Sequence, residues 1–243
     1  MSSPYPFEPG LMVQGFEPAL SLKNFGLIAF DMDSTLINIE CIDELAKFAG
    51  KGMEVAQITE AAMRGEIKDF KDSLRRRVAL LKGTPESALN EVLQNALKLN
   101  PGASTLVSTC KAQGLKVLLV SGGFTFFAQA VQDMLKIDYT RSNILEIKNG
   151  ALTGELVDQD WGDICDGQEK KNMLLKTCQE LGITPARAIA VGDGANDLLM
   201  MHACRDAGGL SVAFHAKPAV RTQAMVSIES GGLDRLLSVV RPQ

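Results

Sequence analysis

The sequence predicts an α/β fold: a doubly wound, mostly parallel sheet with an inserted helical subdomain and a β-hairpin. Three observations predict it. Short apolar runs at 27–30, 117–120, 188–191 and 210–214 alternate with helical stretches, the rhythm of βαβ units. Residues 40–99 interrupt that rhythm with helical periodicity alone. Asn149-Gly150 lies between two strand-like runs, a strong hairpin signal.

Taken in order, Pro4, Pro6, Pro9 and Pro18 punctuate the start of the chain, so residues 1–24 read as an irregular arm. Leu27-Ile28-Ala29-Phe30 is apolar at every position, as a strand buried on both faces requires. Ile42, Leu45, Ala46 and Ala49 then form a helical stripe that Gly50 can end. Helices follow over 53–63 and 67–81. Thr84-Pro85 reads as an N-cap followed by proline in the first turn of a further helix, and Asn100-Pro101-Gly102 stops the last one. The α/β rhythm resumes with helix 103–113, strand 117–120 and helix 124–135. It continues with the hairpin 144–157, helix 168–181, strand 188–191, a helix near 196–206 and strand 210–214.

The chain has 243 residues, 46% hydrophobic and 22% charged, enough for a sizeable core and far from a disordered composition. Its formal net charge of −4 disfavours a nucleic-acid footprint spread over the domain. Cys41, Cys110, Cys165, Cys178 and Cys204 are odd in number and form no Cys-x-x-Cys pair. A disulfide framework or zinc knuckle is thus disfavoured, and a reducing, cytoplasmic setting is expected. Two histidines, His202 and His215, are too few for a His-rich metal site. The first basic residue is Lys23, so the basic start of a secretory signal is missing, and the longest uncharged run, 117–132, is too short to span a bilayer.

In doubly wound sheets, ligands bind beyond the carboxyl ends of the strands. Three such ends carry chemistry here. The first is Asp31-Met32-Asp33-Ser34-Thr35. One carboxylate there can act as a nucleophile on phosphorus, and a second can protonate a leaving oxygen and later deprotonate water. The second is Ser121-Gly122-Gly123 before a helix, where a hydroxyl and backbone N–H groups make an anion cradle. The third is Gly192-Asp193-Gly194-Ala195-Asn196-Asp197, whose acids with Asp31 make a hard oxygen site suited to Mg²⁺. Lys170 can add a positive charge, whereas Lys171 reads as a solvated neighbour. Each tip alone is as readily an ordinary turn; together, on one rim, they form a constellation. A P-loop, a dinucleotide fingerprint and a nucleophile elbow are all absent.

These residues, in this order, resemble the haloacid dehalogenase superfamily of aspartate-nucleophile phosphotransferases. The match covers about residues 25 to 230 and narrows to the branch acting on O-phosphoserine. That branch is carried by Phe30 to Leu36, by Glu40 with Ile42-Asp43-Glu44, and by Ser73 to Val78. Val120 to Phe124, Ala190 to Asp197 and Ala213 to Pro218 also carry it. The resemblance implies a Rossmann-like catalytic core over 25–40 and 101–243, and a helical cap over 41–100.

It also implies roles. Asp31 is the expected nucleophile and Asp33 the general acid/base. Mg²⁺ is expected on the side chains of Asp31 and Asp193 and on the main-chain carbonyl of Asp33. Ser121, Gly122 and Lys170 are expected to hold phosphoryl oxygens, and Asn196 and Asp197 to position phosphate and metal ligands. Glu40 would meet a substrate ammonium and Arg77 its carboxylate, with Met63 and Phe70 as the apolar wall.

The expected reaction is Mg²⁺-dependent hydrolysis of O-phosphoserine to serine and phosphate, the last step of serine biosynthesis. The alternative is a relative acting on another small amino-acid phosphate, or transferring the phosphoryl group to a second alcohol. A rival of another class, a phospho-ligand sensor, has no use for the acid/base carboxylate. The expected partner is a small molecule, with no nucleic acid and no membrane, for a monomer or homodimer. With so few residues ahead of the first strand, a minimal catalytic form without a regulatory domain is expected.

Overall fold

A computed structural model describes residues 3–63, 66–67 and 69–242, with the side chain of Met63 outside the described set. Its centre is strand β4 (Leu27–Phe30), buried at all four positions. Ile28 and Phe30 pack into one hydrophobic cluster, and Leu27 and Ala29 into another on the opposite face. This two-sided burial explains the unbroken apolar run. β4 pairs in parallel with β5 (Lys116–Phe124) on one side and β8 (Ala188–Gly192) on the other.

The sheet runs in the order β1-β2-β10-β9-β8-β4-β5-β6-β7. Its remaining strands are β1 (Tyr5–Glu8), β2 (Leu11–Val13), β6 (Tyr139–Lys148), β7 (Ala151–Val157), β9 (Leu210–Phe214) and β10 (Val226–Ile228). Every pairing from β10 through β6 is parallel, and the antiparallel pairings lie toward the two edges. Helices cover both faces. α5 (Ala103–Ala112) and α6 (Thr125–Leu135) bury Leu106, Val107, Phe127 and Val131 against one. α7 (Gly167–Glu180) and α8 (Leu198–Ala207) bury Leu174, Cys178, Met200 and Met201 against the other. The sheet is therefore doubly wound, as the alternating pattern predicts.

Between β4 and α5 lie α1 (Cys41–Phe48), α2 (Gly52–Met63), α3 (Phe70–Ala79) and α4 (Ser87–Asn95). The outgoing and returning chains are tied together where this segment leaves the sheet. Ile37 bridges Leu99, and the Asn100 amide donates to the carbonyls of Thr35 (2.8 Å) and Ile37 (2.9 Å). The hairpin β6–β7 turns at Asn149-Gly150, both at positive φ (52° and 74°), as a two-residue primed turn requires.

Two expectations are corrected. Residues 1–24 are not an irregular arm. β1 and β2 form an antiparallel pair that adds to the sheet edge at β10, and β3 (Leu20–Ser21) pairs with β11 (Val240–Arg241) near the C-terminus. Edge strands tolerate proline, and Pro6 sits on the outermost one. Thr84 does not cap α4, which starts from Glu86 instead. The backbone around Thr84 is drawn to the hairpin: Leu152 N–H donates to the Thr84 carbonyl (2.8 Å) and Glu86 N–H to that of Gly150 (2.9 Å).

Candidate active site

The carboxyl ends of β4, β5 and β8 meet on one rim. After Phe30 the chain winds through a tight turn over Met32–Leu36, in which Asp33 keeps extended angles and Ser34 takes a positive φ of 55°. This irregularity lets two acids spaced by one residue face one pocket. Asp31 is buried, and its Oδ1 accepts from the Met32 N–H (2.7 Å). The Asp33 Oδ1 accepts from the Cys41 N–H (3.2 Å), the first residue of α1. Burial, reinforced by the neighbouring Glu40, pushes the Asp33 carboxyl up to about 7.

Opposite Asp33, the Ser121-Gly122-Gly123 turn leaves the ladder. The β5–β6 register moves from Val120↔Arg141 to Phe124↔Asn143, so three residues of β5 stand against a single one of β6. The Ser121 hydroxyl is fully buried and accepts from the Gly123 N–H (2.9 Å). A methyl group on Gly123 would sit 2.5 Å from Oδ2 of Asp33, and one on Gly122 would sit 2.9 Å from the ring of Phe70. Only glycine permits this approach.

Lys170, in the first turns of α7, is fully buried. Its ammonium lies 2.7 Å from Oδ1 of Asp31 and 2.7 Å from Oδ1 of Asp197. These two carboxylates, against a large burial penalty, hold the lysine charged, so its affinity for the proton is raised. The second oxygen of Asp197 accepts from the N–H groups of Asp193 (3.1 Å) and Gly194 (3.0 Å). With both oxygens engaged, Asp197 braces the third tip. Asn196 is half-buried, its amide folded over Gly194 and its backbone packed against Gly167 at the start of α7.

Asp31, Asp193 and Asp197 can each place a carboxylate oxygen within 4.8 Å of the others. Burial, then Asp197, pushes Asp31 well above the usual carboxylate range despite Lys170. The same causes, in the same order, raise Asp193 to about 7. Two of the three crowded carboxylates, Asp31 and Asp197, share the ammonium of Lys170, while the Asp193 carboxylate is engaged by the Thr35 hydroxyl at 3.3 Å. The donor set is hard, anionic and under-neutralised, which fits a divalent cation.

Glu40 stands at the entry to the helical segment, and Arg77 and Phe70 lie within it. At the N-cap position of α1, the Glu40 side chain makes no capping bond and instead accepts a 2.6 Å hydrogen bond from the Ser34 hydroxyl. The three consecutive arginines of α3 part company. Arg75 and Arg76 are exposed and paired with Asp163 and Asp72. Arg77 is half-buried; burial lowers its proton affinity, and the nearby charges of Asp43, Glu40 and Asp33 offset that only in part. Phe70 packs over Gly122. The placement of the Met63 side chain lies outside the described residues.

Sequence reading missed the roles of Ser34, Thr35 and Asn143. The first two stood in plain view as the Ser-Thr after Asp-x-Asp. The third lies in a strand with no local signal. Among the described residues, no helix is long and apolar enough to cross a membrane.

The chain matches the haloacid dehalogenase-like hydrolases over residues 25–205. It is 66% identical over 239 residues to the phosphoserine phosphatase of Albidiferax ferrireducens, covering 98% of this chain and 99% of that one. It is 64% identical to the phosphoserine phosphatase of a Polaromonas species, with the same coverage. A solved phospho-aspartyl intermediate analogue of phosphoserine phosphatase superposes with a TM-score of 0.80 at 37% identity, covering 89% of this chain and 99% of that one.

Proposed function

The chain belongs to the haloacid dehalogenase-like hydrolase family, and on that premise we propose that it is a Mg²⁺-dependent phosphoserine phosphatase releasing serine and phosphate. The observation that carries the reading is the meeting of Asp31, Lys170 and the Ser121–Gly123 cradle on one rim, with the Glu40/Arg77 pair facing it from the helices.

The side chain of Asp31 attacks phosphorus, forming an acyl-phosphate bond as the bond to the serine oxygen breaks. Asp33, with its proton affinity raised to about 7, donates a proton to that oxygen. Water then attacks the acyl phosphate and gives its proton to Asp33, restoring both acids. Lys170 orients Asp31 and, with Ser121 and the backbone of Gly122, meets the phosphoryl oxygens. Asp31, Asp193 and the carbonyl of Asp33 would hold Mg²⁺, which supplies charge neutralisation between carboxylate and phosphate. Asn196 and Asp197 keep that rim in place.

Phosphoserine is a phosphate dianion attached to a zwitterion. Glu40 meets the ammonium, and Arg77 meets the carboxylate as a two-pronged donor. Phe70 and Met63 line the space between. Residues 25–40 and 101–243 then act as the catalytic core, and 41–100 as a cap whose crossing is fixed by Asn100. A reducing, cytoplasmic setting is supported by five free cysteines, all buried. Phosphate release from a panel of small phosphomonoesters, with and without Mg²⁺, tests the reading. Preference for O-phosphoserine supports it, and equal rates across the panel contradict it.

A further inference from the structure

Asn143 is fully buried on β6, outside the three strand tips, and its side chain spans two of the segments that build the site. Its amide donates to the Gly122 carbonyl at 2.7 Å, and its side-chain oxygen accepts from the Cys165 N–H at 2.8 Å. Gly122 is the middle of the anion cradle. Cys165 lies two residues before α7, the helix that carries Lys170.

The bulge in β5 makes this contact necessary. Between Val120 and Phe124 the ladder to β6 is broken, so the Gly122 carbonyl loses the strand partner that a regular sheet would give it. Asn143, the residue opposite Phe124, supplies the replacement with its side chain. A trans peptide is planar, so its carbonyl and the following N–H point in opposite directions. Holding the Gly122 carbonyl toward Asn143 therefore holds the Gly123 N–H on the other side, where it meets the Ser121 hydroxyl, while the α-carbon of Gly123 faces Asp33.

We propose that Asn143 is a positioning residue that sets the orientation of the Gly122–Gly123 peptide in the phosphoryl cradle and locks it to the chain segment leading into the Lys170 helix. It touches neither substrate nor reacting atoms. It acts by fixing donors to the phosphoryl group, whatever alcohol that group is attached to. Its effect is therefore on the phosphate side of the site, in contrast to Arg77. The inference rests on the proposed phosphatase reading only in requiring a phosphoryl group at Ser121–Gly123.

The test compares Asn143→Asp and Asn143→Ser with wild type on O-phosphoserine and on p-nitrophenyl phosphate. Asn143→Asp keeps the acceptor for Cys165 and loses the donor to Gly122; Asn143→Ser is too short to span the two. Inhibition by inorganic phosphate is measured in parallel. Thr125→Val is the control, because it removes hydrogen bonds to the Asn143 carbonyl and the Ser142 hydroxyl (both 3.0 Å) without touching the cradle.

Misplaced donors should lower kcat about 10- to 100-fold on both substrates alike. Phosphate inhibition should weaken, while Thr125→Val keeps wild-type kcat. Unchanged kcat in the Asn143 variants, a loss confined to O-phosphoserine, or an equal loss in Thr125→Val would overturn the proposal. Failure of both Asn143 variants to fold would assign the residue to the core and overturn it too. A wild type that turns over p-nitrophenyl phosphate but not O-phosphoserine would sink the substrate reading and leave this test intact.

Discussion

The ammonium of Lys170 lies 2.7 Å from Oδ1 of Asp31, with both side chains buried. One contact thus joins the end of β4 to the start of α7 and holds the carboxylate that the proposed mechanism uses. It also carries stability, because a lone buried charge is costly. Lys170→Met should abolish measurable turnover. It should also destabilise the fold by about 3 kcal/mol, read as a lower denaturant midpoint. A variant with normal stability and reduced activity would make Lys170 a substrate contact and nothing more.

The proposed role of Arg77 separates the two ends of the substrate. Arg77→Ala should lower kcat/KM for O-phosphoserine far more than for p-nitrophenyl phosphate, which has no carboxylate. A charge-assisted contact of about 1.5–3 kcal/mol corresponds to roughly 10- to 150-fold. Arg75→Ala and Arg76→Ala should change little, since exposed ion pairs contribute about 0–1 kcal/mol. Equal losses on both substrates would place Arg77 at the phosphate or in the fold.

In the proposed mechanism the Asp33 carboxyl gives the reaction a pH signature. Its raised value of about 7 means that the proton is present below that pH and lost above it. Protonation of the serine oxygen needs that proton, so kcat/KM for O-phosphoserine should fall as pH rises through about 7. With p-nitrophenyl phosphate, whose leaving group needs no proton, the same limb should flatten. Asp33→Asn should lose about 10²- to 10⁴-fold on O-phosphoserine and show no such limb. A limb of equal depth on both substrates in that variant would remove Asp33 from the acid role.

The crowding of Asp31, Asp193 and Asp197 predicts dependence on a divalent ion. Chelation should stop turnover and Mg²⁺ should restore it, with Ca²⁺ restoring much less. Mg²⁺ holds compact octahedral geometry, whereas Ca²⁺ accepts carboxylates through both oxygens and would occupy the attacking oxygen of Asp31. Asp193→Asn should raise the Mg²⁺ concentration needed for half-maximal rate. Full activity after exhaustive chelation would contradict the assignment.

Much of this site is legible in the sequence because strand and chemistry are contiguous there. Leu27–Phe30 declares a buried strand, and Asp31 and Asp33 follow at its end; the same holds for Val191 before Asp193 and Val120 before Ser121. Asn149-Gly150 declares its own turn. What stays hidden depends on distant partners. β1 and β2 are strands because β10, more than two hundred residues later, offers an edge. Thr84 fails as a cap because the hairpin claims its backbone. Nothing local distinguishes Arg77 from Arg75 and Arg76; the helix rotation that turns one toward Glu40 does. Asn143 is silent in sequence because its importance comes from a bulge in the neighbouring strand.

The proposed mechanism stands on a covalent bond between Asp31 and phosphorus. Mixing the Mg²⁺-loaded enzyme with O-phosphoserine, quenching rapidly in acid and reducing with borohydride converts an acyl phosphate to a homoserine residue that peptide mapping locates. The mechanism predicts that conversion at Asp31, dependent on substrate and absent in Asp31→Asn, which should also be inactive while remaining folded. Conversion at another carboxylate, or normal turnover by the Asp31→Asn enzyme, would contradict it.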